Sequence, residues 1–231
     1  RKALMLTAAA EFAGPFLFGV AVAKTIGADI VDAGAIDNSA LVAALIVAVF
    51  WNLITWYFGI PSSSSHALIG GILGAVIAEV GIGAVQLSGV YKVLIALFVS
   101  PVLGLLIGFL ITKLVFFLAR NASLKINIFF KHSQVITGLG LALSHGANDA
   151  QKSMGIITLG LLVSGVITDF TVPLWVIVVS ATAMAIGTSI GGWRLIRTLG
   201  GRFYKIKPIH GFTAQVSSAA IILGAALLGG P

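Results

Sequence analysis

Apolar residues fall into long runs separated by short polar gaps. Five runs, residues 3–23, 41–58, 91–118, 173–190 and 211–228, approach or exceed the roughly 20 residues that a helix needs to cross the hydrocarbon core of a bilayer. The pattern predicts an all-α membrane protein, a multi-spanning helical bundle. A sixth segment, residues 134–168, is apolar except for a polar stretch in its middle. The first run does not read as a cleavable leader. Arg1 and Lys2 would serve as its basic start, but Glu11 interrupts the apolar stretch and no small-x-small cleavage site is clear.

Composition agrees with lipid as the main solvent. The 231 residues are 58% hydrophobic and 9% charged, with a mean hydropathy of +1.10. A soluble domain carries about 25% charged residues, so a globule in water could not be covered here. The net charge of +7 does not point to nucleic acid, because the basic residues sit in the gaps between apolar runs, as membrane topology signals do. Without cysteine, disulfides and thiolate metal sites are excluded.

The gaps differ in sign. Residues 27–38 carry Asp29, Asp32 and Asp37 and no lysine or arginine. Residues 113–131 carry Lys113, Arg120, Lys125 and Lys131, and residues 194–207 carry Arg194, Arg197, Arg202, Lys205 and Lys207. The positive-inside rule places the basic gaps in the cytoplasm and the acidic gap outside. Residues 3–23 then run outward, 41–79 form two crossings or a re-entrant pair, 91–118 return inward, 134–168 run outward and 173–190 come back.

A repeat follows the same parity. Residues 14–27, GPFLFGVAVAKTIG, align without gaps on residues 187–200, GTSIGGWRLIRTLG, matching Gly14 to Gly187, Gly19 to Gly192, Thr25 to Thr198 and Gly27 to Gly200. The charge reading sends the two copies in opposite directions, which is the inverted-repeat plan common in secondary transporters. The expected organisation is a first repeat over residues 1–118, including a serine loop at 61–66, a cytoplasmic linker at 119–133, and a second repeat over 134–231. The repeat also implies that the chain is a piece, since the partners of its polar motifs would lie before Arg1 and from Pro231 onward.

Two polar motifs carry chemistry. PSSSSHALIGG, residues 61–71, places four hydroxyls and a histidine between apolar runs. Pro61 ends one helix and a serine caps the next, so backbone N–H groups, a positive dipole end and hydroxyl donors converge on an oxyanion site. The plainer reading is a capped turn, for which one serine would suffice. HGANDAQKSMG, residues 145–155, interrupts an apolar run. An ionised Asp149 in the membrane needs a cation, and hard alkali ions take oxygen ligands. Asn148 and Asp149 offer them, Gly146 is expected to let the helix unwind and free backbone carbonyls, and Gln151 and Ser153 add donors for an anion. The plainer reading is an i,i+3 ion pair between Asp149 and Lys152. Glu11 reads either as a coupling carboxylate or as packed on a polar residue of a neighbouring helix. His66 and His145 are expected to hydrogen-bond backbone rather than ligate metal. Phe116, Phe117, Phe129 and Phe130 with Lys125 and Lys131 read as an interfacial anchor.

At these motifs the sequence resembles the PiT family of inorganic phosphate transporters, symporters that carry phosphate with sodium or, in some bacterial branches, protons. The likeness runs through RKAL, AKTIG, WNLITWYFGIPSSSSHALIGG, SHGANDAQKSMG and GTSIGGWRLIRTLG. It implies phosphate contacts from Ser63, Ser64, Ser65 and Gln151, and sodium contacts from Asn148 and Asp149. It further implies alternating access, sodium as coupling ion without an organic cofactor, no enzymatic activity, and a multi-pass protein of a prokaryotic cell membrane. The N-terminal Asn-Asp motif and the C-terminal Ser/Thr-rich loop of that family do not occur in this sequence. Two other readings stay open: an intramembrane serine hydrolase using His66 or His145, and a passive anion channel. Homo-oligomerisation is also open.

Overall fold

The structure, a computed structural model, describes residues 2–123, 125–202 and 206–230, with the backbone alone for residues 192–202. The side chains of Arg194, Arg197, Arg202 and Lys205, part of the charge signal above, and the terminal Arg1 and Pro231 lie outside the described residues. Eight α-helices account for nearly all of the described chain: α1 (Lys2–Leu17), α2 (Ala21–Ala28), α3 (Asn38–Phe58), α4 (Ser64–Glu79), α5 (Leu87–Ala119), α6 (Ile126–Val163), α7 (Leu174–Arg202) and α8 (Pro208–Leu227). Extended pairing among the described residues is one isolated bridge, Val31 to Val85.

The apolar runs became helices. Asn38–Phe58, Leu87–Ala119, Leu174–Gly191 and Pro208–Leu227 are long and apolar enough to cross a membrane. The first run did so differently from the single crossing expected. It is a bent pair, α1 and α2, meeting at 76°. The break falls at Gly19, whose φ of +79° is a conformation that glycine adopts without the Cβ clash of other residues. Its aligned partner Gly192 lies within α7 instead. Caps define other ends. Asp37 accepts from the N–H groups of Ser39 and Ala40 at 2.7 and 3.1 Å, and α3 stops at Gly59 in the left-handed region. At 16 residues, α4 is shorter than a full crossing.

A second expectation is corrected at α6. The helix was to unwind at Gly146, but it runs unbroken for 38 residues, roughly 57 Å at 1.5 Å per residue. Gly146 serves packing instead. A Cβ there would stand 2.2 Å from the carbonyl oxygen of Glu11, so the missing side chain is what brings α1 against α6. Gly14, facing the carbonyl of Leu143, and Gly155, facing that of Ala23, do the same on either side. Helix α6 thus packs against α1, α2, α7 and α8, while Ile26, Ile30, Ile72, Val76, Ile156 and Leu159 fill an apolar core beside it.

Candidate functional site

The α3–α4 turn is built by the serines of the 61–66 loop. Ser63 is the N-cap of α4, its Oγ accepting from the backbone N–H of His66 at 3.3 Å, which satisfies one of the helix's orphan donors. Ser62 hydrogen-bonds Thr55 at 2.7 Å, tying the loop to the last turn of α3. Ser64 opens α4 and is exposed, whereas Ser65 is buried. The positive end of α4 therefore lies in the middle of four hydroxyls, as the sequence implied.

This loop faces α6 and α7 across a cavity of about 1040 Å³, lined among others by Thr55, Ser62, Ser64, Asp149, Ser153 and Ser180. The two motifs, some 85 positions apart in sequence, meet there. Hydroxyls from four helices and one loop surround the space, with a carboxylate on the α6 side. Ser180 was not foreseen. Its hydroxyl is buried without a hydrogen-bond partner, and nothing but its place in an apolar run could have marked it.

Asp149 belongs to a charged chain. Its Oδ1 lies 2.5 Å from the Lys152 ammonium and its Oδ2 3.1 Å from Nε2 of His145. The other ring nitrogen of His145 meets Glu11 Oε1 at 3.0 Å, and Thr188 of α7 donates to Glu11 Oε2 at 2.5 Å. The i,i+3 pair was legible in the sequence, and Glu11 takes the neighbouring-helix partner that was one of its two readings. His145 departs from expectation, bridging two carboxylates rather than binding backbone. Lys152 and Glu11 are both nearly inaccessible to solvent, so each hides its charge by pairing.

The remaining candidates lie off the cavity. Asn148 is buried and donates from Nδ2 to the carbonyl of Gly230 at 3.0 Å. Gln151 is completely buried. Its Oε1 accepts from Val22 and Ala23 of α2 at 2.8 and 3.3 Å, and its Nε2 donates to the Ala147 carbonyl at 2.7 Å. The structure thus brings Ser62, Ser64, Asp149 and Ser153 to one space, and not Ser63, Ser65, Asn148 or Gln151. With α6 unbroken, backbone carbonyls at Gly146 are held in the helix and are not available to a cation. For the hydrolase reading, Ser65 is buried while its neighbour His66 is exposed, and His145 is held by Glu11 and Asp149.

Comparison with known proteins adds to the geometry. A model described as the phosphate transporter family matches residues 1–129 and 118–231. The chain is 45% identical over 232 residues to a probable low-affinity inorganic phosphate transporter of Bacillus subtilis, covering 99% of this chain and 69% of that protein. It is 46% identical over 233 residues to a protein of the same description in Mycobacterium tuberculosis, of which it spans 56%. Among solved structures, a sodium-dependent phosphate transporter matches the whole chain and 76% of its own with a TM-score of 0.90 at 24% identity, a likeness of fold.

Proposed function

The chain belongs to the phosphate transporter family, and from that premise we propose that it carries inorganic phosphate across the cell membrane of a prokaryote, with sodium as the coupling ion and alternating access as the mechanism. One observation supports this reading above the others: the cavity that unites the start of α4 with Asp149 and Ser153 of α6. A tetrahedral oxyanion needs several converging donors. Ser62, Ser64 and Ser153 supply hydroxyls, Ser63 tunes the cap beneath them, and the N-terminus of α4 adds a positive dipole end.

Charge explains the need for coupling. A multiply charged anion entering a low-dielectric space is costly, and Asp149 adds to that cost. Lys152 and His145 already hold Asp149, so a sodium ion on its carboxylate displaces one of them or shares the carboxylate with both. Asn148, the other proposed sodium ligand, is the next residue but lies off the cavity on the Gly230 carbonyl, so it joins that ion only when this turn of α6 rotates. The inverted-repeat organisation over residues 1–118 and 134–231 belongs to the same proposal, because two opposed halves around a midplane site are what rocking between two faces requires.

The test is radiolabelled phosphate uptake by membrane vesicles carrying the complete protein, with and without an inward sodium gradient. Uptake that sodium accelerates supports the proposal. Phosphate flux down its own gradient, indifferent to sodium and to protons, would favour a channel. The hydrolase reading has lost its ground, since the family is one of transporters rather than enzymes.

A further inference from the structure

The bend between α1 and α2 leaves a helix N-terminus inside the protein. The first N–H groups of any helix lack intrahelical acceptors, and buried donors without partners are costly. Val20, at the cap position of α2, supplies no side-chain acceptor. The donors of Val22 and Ala23 are instead met from another helix, by Oε1 of Gln151 at 2.8 and 3.3 Å. The Gln151 carboxamide is anchored at its other end by the Ala147 carbonyl, at 2.7 Å, and has no solvent exposure. One turn further along α6, a Cβ on Gly155 would stand 2.6 Å from the Ala23 carbonyl. The start of α2 is therefore held on α6 at two successive turns, once by hydrogen bonds and once by close backbone approach.

The same turns of α6 have a second face. Asp149, Ala150 and Ser153 line the cavity, while Gln151 and Gly155 face the bend. We infer that Gln151 is a positioning residue: it caps α2 across the helix interface and ties the α1–α2 bend to the turn of α6 that meets the substrate. The inference rests on the cavity being the phosphate site. Its consequence is that a shift of Asp149 and Ser153 on substrate binding cannot occur without moving the start of α2, so the bend follows the site. A residue acting in this way controls the rate of the conformational step rather than the affinity for phosphate.

Two readouts on the complete protein test the inference. The first is amide hydrogen exchange across residues 18–28 in detergent or nanodiscs, for wild type, Gln151→Leu and Gln151→Glu. Losing both acceptor bonds should speed exchange at Val22 and Ala23 by about tenfold or more, and Gln151→Glu, which keeps an acceptor oxygen, should restore much of the protection. Unchanged exchange in Gln151→Leu overturns the inference. Where the leucine variant does not fold, Gln151→Asn, one methylene too short to reach α2, must show the same acceleration.

The second readout is the kinetics of phosphate uptake. In Gln151→Leu the maximal rate should fall about tenfold while the half-saturating phosphate concentration stays within about twofold. A half-saturating concentration that rises tenfold at an unchanged maximal rate would make Gln151 a phosphate ligand and overturn the positioning role. If the wild type shows no phosphate uptake, the proposed function fails, and hydrogen exchange still decides the cap.

Discussion

Helices α5 and α6 are the two longest in the protein, and they are built in opposite ways. Over 33 residues α5 buries only Gly89 and Val93, and most of its leucines, isoleucines and phenylalanines face outward. Over 38 residues α6 buries fourteen, among them Asn148, Gln151 and Lys152. In water the apolar helix would be the core and the polar one the surface. In lipid the hydrophobic driving force between helices is absent, and what must be hidden is the polar group without a partner. The polar motif therefore sits at the centre of the bundle because it has partners there: Glu11 and Thr188 through His145, Lys152 at Asp149, α2 at Gln151.

The sharpest way to break this contrast is to remove charge from α6. Asp149→Asn leaves the buried Lys152 ammonium without its counter-charge, and loss of one partner of a buried pair costs about 3–5 kcal/mol. Because the Asp149 side chain is 29% exposed, the expected loss is toward the lower end, about 3 kcal/mol. Thermal unfolding in detergent should show it, and Asp149→Asn with Lys152→Met should recover most of the stability. Phosphate uptake should be lost in both. If Asp149→Asn transports with unchanged sodium dependence, the carboxylate only neutralises Lys152 and the cation site is elsewhere.

A smaller effect separates the two helices by their glycines. Gly146 of α6 has the Glu11 backbone 2.2 Å from where a Cβ would stand, whereas at Gly104 of α5 nothing lies within 4 Å. Gly146→Ala should cost about 1–3 kcal/mol as overpacking, partly offset by about 1 kcal/mol of helix propensity. Gly104→Ala should be neutral or stabilising by that propensity alone. Equal effects in the same unfolding assay would mean that α1 does not rest on α6 as described.

Gly146 also shows what the sequence could and could not tell. Glycine within an apolar run either breaks a helix or admits a close neighbour, and the two look alike in one dimension. The break was placed at Gly146 and occurs at Gly19, because the partner that makes Gly146 a packing residue is Glu11, 134 residues before its neighbour His145. Features set by local chemistry were legible. Four of the five apolar runs became single helices long enough to cross a membrane, PSSSSH became a serine-capped helix start, and Asp149 with Lys152 became an i,i+3 pair. Gln151 was expected as an anion donor from the same motif as Asp149, but residues two apart on a helix point in different directions, and its carboxamide turns to α2.

The serine loop tests the contrast from the other side of the cavity. Ser64→Ala removes one hydroxyl from the start of α4, and a hydrogen bond to a charged group is worth about 1.5–3 kcal/mol. The half-saturating phosphate concentration should rise about tenfold or more, while unfolding temperature changes little because Ser63 remains the cap. Unaltered uptake kinetics would reduce the loop to a capped turn and leave the polar groups of α3, α6 and α7 to face the cavity.

The smallest expected effect belongs to α5 itself. Leu105 is 74% exposed, and a lipid tail is as apolar as a leucine, so neither state of the helix gains from hiding it. Leu105→Ala should change stability by less than about 0.5 kcal/mol. Leu159 of α6, with no exposure and packed in the core, makes the matched control: its truncation leaves a void and should cost about 2–5 kcal/mol. The difference between these two leucines measures directly how far α5 is solvated by lipid and α6 by protein. Should Leu105→Ala prove as costly as Leu159→Ala in the complete protein, α5 packs there against another segment or another copy. The contrast between the two helices would then belong to this chain alone, and the outer wall of the bundle would have to be drawn beyond α5.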